Sequence, residues 1–176
     1  MEQPSELSER FAHGDLDAFE TLFRQFQSEV YRWIVRIVRD HGLAEDLTIE
    51  TFWRIHRAHA RFDPERSFGA WARRIATNTA LDHLKTSRRE VELPEDLPGP
   101  ALGDPGVQRD VRERVGQAFR QLPAKLRVAA TLALIEEEPY QEIADALGIS
   151  VGAVKLRVFR AVRLLRKRLK QLGVEP

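Results

Sequence analysis

A chain of 176 residues with 43% apolar, 31% charged and 8% aromatic side chains has a globular composition and fills one ordinary domain or two small ones. The absence of cysteine excludes disulfides, thiolate zinc sites and cysteine nucleophiles, and with no signal-peptide pattern and no apolar run near the roughly 20 residues that span a bilayer, a cytoplasmic protein is expected. The net charge of +1 hides an uneven spread: residues 1–52 hold 5 Arg against 11 acids, residues 53–89 hold 9 Lys/Arg against 3, residues 90–106 hold 5 acids alone, and residues 107–176 hold 14 against 8.

Two basic surfaces separated by an acidic connector point to two contacts with nucleic acid and a third surface for another partner. In chain order, Gly14 and Asp15 open a helix whose apolar positions Phe19, Leu22, Phe23, Phe26, Val30, Trp33, Ile34, Ile37 and Val38 keep helical spacing. Asp40, His41 and Gly42 break it. A second helix, about 43–60, buries Leu47, Phe52 and Ile55. Glu45, Asp46 and Glu50 form an acidic patch on its first turns, which fits either compensation of the helix dipole with pairing of Glu50 to Arg54, or docking of a partner.

The turn signal Asp63-Pro64 makes Arg61 to Ser67 a loop. A third helix, about 68–88, turns Phe68, Trp71, Ala72, Ile75 and Leu84 inward and leaves Arg73, Arg74, Asn78, Lys85, Arg88 and Arg89 outside. Trp53, Phe62, Phe68 and Trp71 lie among these cations, and aromatics beside cations are the ingredients for holding unstacked bases. The same rings also fit a plain core, and Trp71 can serve both ends. Residues 90–106 combine Pro, Gly and five acids without periodicity and read as a flexible linker that could extend roughly 50 Å.

After the linker, one helix from about Val107 to Gln121 buries Val111, Val115 and Phe119. Pro123 starts the next, which buries Leu126, Ala130 and Leu134 before Glu136-Glu137-Glu138-Pro139. The stretch 140–172 then reads as helix-turn-helix: Ile143, Ala144 and Leu147 on one side, Gly148 as the stop, Ser150 as the N-cap. From there Val151, Val154, Val158, Val162, Leu165 and Leu169 make a buried stripe, opposite Leu156, Arg160, Arg163 and Lys167, flanked by Lys155 and Phe159. Eight cations and no acid stand between Val151 and Gly173, a density that a polyanion would relieve. Such a helix suits the major groove. The expected architecture is all-α, two small helical domains (1–89 and 107–176) joined by a flexible linker, the second a helix-turn-helix.

These motifs resemble a bacterial RNA polymerase sigma factor of the extracytoplasmic-function group. In the first half the resemblance rests on 44–52 (Ala44-Glu45-Asp46-Leu47-Thr48-Ile49-Glu50-Thr51-Phe52), on Arg61-Phe62-Asp63-Pro64, and on the run from Phe68-Gly69-Ala70-Trp71 to Asp82. In the second it rests on Leu122-Pro123, Tyr140-Gln141-Glu142-Ile143-Ala144 and the run from Gly152 to Ala161. The resemblance implies a factor that binds core polymerase, directs it to promoters and helps open them, without covalent chemistry or cofactor. Asp46, Glu50 and Phe52 would dock on polymerase. Arg61, Phe62, Asp63, Ser67, Trp71, Arg74 and Asn78 would read and trap the melted minus ten element. Lys155, Leu156, Phe159 and Arg160 would face the minus thirty-five duplex, with Arg163 and Lys167 on phosphates. The linker would lie in the polymerase channel, and an anti-sigma partner is expected.

The chain departs from the family pattern at Ile49, where glutamine is common, at Leu156, where a small polar residue is usual, and at Thr48, which replaces an aliphatic. An apolar tip at 156 suits a thymine methyl. Two other classes fit parts of the chain. An ordinary operator-binding regulator would bind duplex DNA through the helix-turn-helix and a ligand or partner through the first half, and has no use for single-strand pockets. A metal enzyme would need more than His56 and His59, which stand three residues apart without the accompanying carboxylate; His13, His41 and His83 are scattered, and neither a Gly-rich phosphate loop nor a nucleophile elbow is present.

Overall fold

Asp15 starts the first long helix: its Oδ1 accepts the amides of Asp17 at 2.9 Å and Ala18 at 3.1 Å, satisfying two donors that the first turn leaves open. The computed structural model describes residues 4–91 and 107–174, and all regular structure among them is helical. The helices are α1 (Pro4–Ala12), α2 (Leu16–Val38), α3 (His41–Arg57), α4 (Phe68–Val91), α5 (Val107–Arg120), α6 (Ala124–Ala130), α7 (Tyr140–Leu147) and α8 (Val151–Gln171). A 3-10 turn, His59–Arg61, follows α3, and a π-helical segment, Thr131–Ile135, continues α6. Beyond its first two positions, which end α4, the acidic linker lies outside the described residues.

Helix α1 was not expected. Its buried apolar residues are Leu7 and Phe11, too few to show a period, and Ser8 is buried beside them. Yet Phe11 is 1% exposed and sits at the centre of an aromatic cluster, with ring centroids 5.7 Å from Phe62, 5.5 Å from Phe68 and 6.1 Å from Trp71. Leu22, Trp33, Ile34 and Ile37 of α2, Leu47, Phe52 and Ile55 of α3, and Phe68, Ala76 and Leu84 of α4 form the rest of the front core. Buried hydroxyls are satisfied locally: Thr51 donates to Leu47 O at 2.7 Å, and Thr77 donates to Arg73 O at 2.7 Å while accepting Trp33 Nε1–H at 2.9 Å. Such bonding removes the cost of burying them.

In the rear half, Val154, Val158 and Leu165 of the expected stripe are buried, Val151, Val162 and Leu169 are half-buried, and Ala161, outside that stripe, is buried as well. Two expectations fail here. Val111 is 39% exposed, with Ala118 buried and Val115 and Phe119 half-buried on α5, and Leu134 is 45% exposed. The π segment explains the second: Glu136 N–H reaches back five residues to Thr131 O at 3.0 Å, and the wider turn carries Leu134 and Ile135 off the α-helical stripe. The two halves also touch. Val128, Leu132, Ile143, Ala144, Val154 and Val158 belong to one continuous core with α2, α3 and α4, while Ala118, Leu122, Ala130, Ala161 and Leu165 form a smaller separate cluster.

Candidate nucleic-acid interface

Ser150 fixes the start of α8, its Oγ accepting Ala153 N–H at 3.1 Å, and Gly148 at φ 65° closes α7 in the left-handed region that a glycine adopts without strain. That turn orients α8 so that Lys155, Leu156, Phe159, Arg160, Arg163 and Lys167 all stand in solvent. Leu156 is 47% and Phe159 59% exposed. Arg163 rests on Phe159, its guanidinium carbon 6.0 Å from the ring centroid, a cation–π contact that holds both side chains out from the helix. The helix offers a basic face with two apolar tips, a shape and charge that suit a major groove.

The residues expected at the minus ten strand divide. Arg61 is exposed and lines a small basic hollow with Arg54, Arg57 and Ala58. Phe62 is only 4% exposed, walled by Phe11, Phe68 and Trp71 at 5.0 to 5.7 Å, so its ring shapes the loop from within. Asp63 holds that loop, accepting Glu65 N–H at 3.1 Å and pairing with Arg66 at 3.4 Å. Ser67 Oγ accepts Ala70 N–H at 3.3 Å at the start of α4. Trp71 is half-buried, one side against Phe62 and the other lining a cleft of about 480 Å³ with Arg66, Ser67, Arg74 and, from the rear half, Asp145 and Gly148. Asn78 is exposed on the same helix. Arg73, expected outside, is half-buried, with its guanidinium carbon 5.5 Å from the Trp33 ring centroid.

On α3, Asp46 and Glu50 are exposed, whereas Phe52 is 3% exposed against Phe23, with ring centroids 4.8 Å apart. The outward apolar residues are Ile49, 69% exposed, and Trp53, 57% exposed. With Asp46 and Glu50 they make one face at i, i+3, i+4 and i+7, a pattern legible in the sequence once Trp53 is counted with the acidic patch. Glu50 pairs with Arg54 at 2.8 Å, and Arg54 also reaches Asp82 at 2.8 Å. Those two carboxylates, Asp82 first, raise the Arg54 pKa. His56 and His59 have packing roles: His56 lies 5.0 Å from the Phe19 ring centroid, and His59 Nδ1 is 3.1 Å from Ala12 O. Among the described residues no group of three or more His, Asp or Glu could hold a metal ion, and no helix is long and apolar enough to cross a membrane.

Comparison with known proteins agrees with this layout. Residues 22–90 match Sigma-70 region 2, and residues 112–165 match Sigma-70, region 4, an order that defines the class of sigma-70-type factors. RNA polymerase sigma factor CarQ of Myxococcus xanthus is 36% identical over 95% of this chain and 98% of its own length. RNA polymerase sigma-H factor of Pseudomonas aeruginosa is 35% identical over 98% of this chain and 96% of its own. The fold recurs in the structure of CnrH in complex with the cytosolic domain of CnrY, with a TM-score of 0.57 at 24% identity, covering 96% of this chain and 97% of that one. The chain belongs to the extracytoplasmic-function RNA polymerase sigma factors, and its function is to direct polymerase to promoters for transcription initiation.

Proposed function

We propose a division of that function among three faces. The α3 face of Asp46, Ile49, Glu50 and Trp53 docks on core polymerase, with Phe52 supporting it from the core. The exposed edge of α8 reads the minus thirty-five duplex, Lys155, Leu156, Phe159 and Arg160 at base edges and Arg163 and Lys167 at phosphates. The loop and first turns of α4 hold the melted minus ten strand through Arg61, Asp63, Ser67, Trp71, Arg74 and Asn78, with Phe62 positioning the loop. Residues 1–89 and 107–176 are the two functional domains on this reading, and 90–106 is their connector.

The observation that carries the reading is the acid-free α8 with its six named side chains all in solvent behind a capped turn. Binding energy alone performs the work: pockets that favour the unstacked strand shift the duplex toward opening by their differential affinity. No covalent step is assigned to the chain, and it acts in the cytoplasm, where its polymerase is. The CnrH structure contains the cytosolic domain of CnrY, and by analogy we assign this chain an anti-sigma partner that covers its polymerase face. Run-off transcription with core polymerase tests the whole. Promoter-dependent transcripts are expected only when the chain is present, and their absence on a template bearing its mapped promoter rejects the reading.

A further inference from the structure

We propose that the cleft between α4 and the turn joining α7 to α8 is a binding site for a small ribonucleoside phosphate. Its volume, about 480 Å³, lies in the range of small-molecule sites, roughly 300–1,000 Å³. Its walls carry the three kinds of group that such a ligand needs. The first is a fixed aromatic face. Trp71 lines the cleft, and its ring packs on Phe62, Phe68 and Phe11 with centroids at 5.0, 6.0 and 6.1 Å. A half-buried indole braced by three other rings gives a base a rigid surface on which to stack.

The second is a pair of cations, Arg66 and Arg74, both exposed where they line the cleft. Arg66 is loosely engaged, its Nε 3.4 Å from Asp63 with the side chain 80% exposed, and among the described residues no carboxylate pairs with Arg74. Arg74 is nevertheless placed. A Cβ on Gly148 would come within 2.6 Å of its Nη2 and 2.9 Å of its Cζ and Nε, so the guanidinium lies against backbone that only a glycine leaves bare. A cation held in place without a counter-charge is ready to receive a phosphate. Ser67 Oγ and Ser150 Oγ accept the Ala70 and Ala153 amides at 3.3 and 3.1 Å, which leaves both hydroxyl protons to donate to phosphate oxygens. The third group is an acceptor. Asp145 takes one hydrogen bond from Gln141 at 3.0 Å and keeps further lone pairs. An ionised carboxylate can only accept, so it selects the end of the ligand that carries donors, the ribose diol or a base amino group. A nucleotide within a melted strand shares this chemistry, but it meets α4 alone. Asp145 and Ser150 belong to the rear half, and a site that uses them takes a free nucleotide.

Titration calorimetry of the full chain with adenosine monophosphate tests the site. One molecule should bind per chain with a dissociation constant below about 1 mM, and adenosine or inorganic phosphate alone should bind about tenfold more weakly or worse. Arg74→Gln removes the placed cation and should weaken the nucleotide about tenfold. Asp145→Ala should weaken it about as much, although deleting a negative charge would strengthen an anion held only by a basic surface. Both positions are exposed, and circular dichroism checks that both variants keep their helices. No binding up to about 10 mM nucleotide overturns the proposal, as does equal binding of inorganic phosphate, which marks a plain anion site. Loss in Arg74→Gln without loss in Asp145→Ala overturns it too, because the nucleotide then sits on α4 as a unit of the strand would. The melted promoter strand is the separate arm. Bound to the holoenzyme, it should weaken with Arg74→Gln and be unmoved by Asp145→Ala. Failure of the wild-type holoenzyme to hold the strand removes α4 from promoter opening and leaves the nucleotide site standing on its own titration.

Discussion

Leu156 stands in solvent among Lys155, Arg160, Arg163 and Lys167, where a long polar side chain would pair with a base edge and a branched apolar one cannot. An exposed leucine on a groove-reading face gains only from apolar contact, and the thymine C5-methyl is the apolar group of the major groove. Replacing thymine by deoxyuridine, one position at a time in the minus thirty-five duplex, should cost about 0.8 kcal/mol, roughly fourfold in affinity, at the contacted base. The loss should vanish in Leu156→Ser, measured with the holoenzyme. At the other end of the molecule Asp15 combines a cap with an ion pair to Arg10 at 2.8 Å. The Arg10 hydrogen bond first, then that of the Ala18 amide, lower its pKa in the folded state. A lowered folded value means stabilisation that is complete above the ordinary carboxylate pKa of about 4 and is lost as pH falls through the folded value. Asp15→Ala should therefore melt below wild type at pH 7, and the difference should close in acid, as followed by thermal unfolding across pH.

At the scale of single helices, α3 separates what a residue presents from what it supports. Trp53→Ala should leave the melting temperature unchanged and weaken binding to core polymerase by about 2 kcal/mol, near thirtyfold, as loss of an exposed aromatic anchor does. Phe52→Ala should do the reverse in kind, costing about 3 to 5 kcal/mol of stability through the cavity left against Phe23. Equal affinity of Trp53→Ala and wild type in a polymerase titration would remove α3 from the interface. The long helices were legible because their apolar spacing persists over several turns: α2, α4, α7 and α8 fall where period, caps and Gly148 place them. Short or irregular elements were not. Leu7 and Phe11 are too few to announce α1, and nothing in Thr131-Leu132-Ala133-Leu134-Ile135 marks the π turn that exposes Leu134. Period placed Phe52 inward with Leu47 and Ile55, but it could not show that Phe62, in the loop, faces inward or that Trp53 faces out, because such rings differ only in which neighbouring element covers them.

Across the whole molecule, the charge blocks and linker composition announced two bodies, while their contact was hidden because periodicity reveals that a face is buried and never against what. Ile143 and Val154 read as the core of their own domain, and in the structure they join the front core as well. Gly148 shows how far that contact constrains a residue whose sequence role is only to stop a helix. Alanine there pays for a left-handed backbone, about 1 kcal/mol, and its Cβ would also displace the Arg74 guanidinium from the turn. The backbone cost belongs to the rear half alone, whereas the displacement exists only while the halves are together. Gly148→Ala should therefore cost about 2 kcal/mol in the wild-type background and about 1 kcal/mol in Arg74→Ala, a coupling within the range of contacting residues. Thermal unfolding of the four proteins in the cycle measures it, at roughly 2 to 4 °C per kcal/mol for a chain of this size. Strict additivity would mean that Arg74 swings aside without loss, and that the halves are held by their shared apolar core and the ion pairs of Arg36, Arg39 and Arg73 without it.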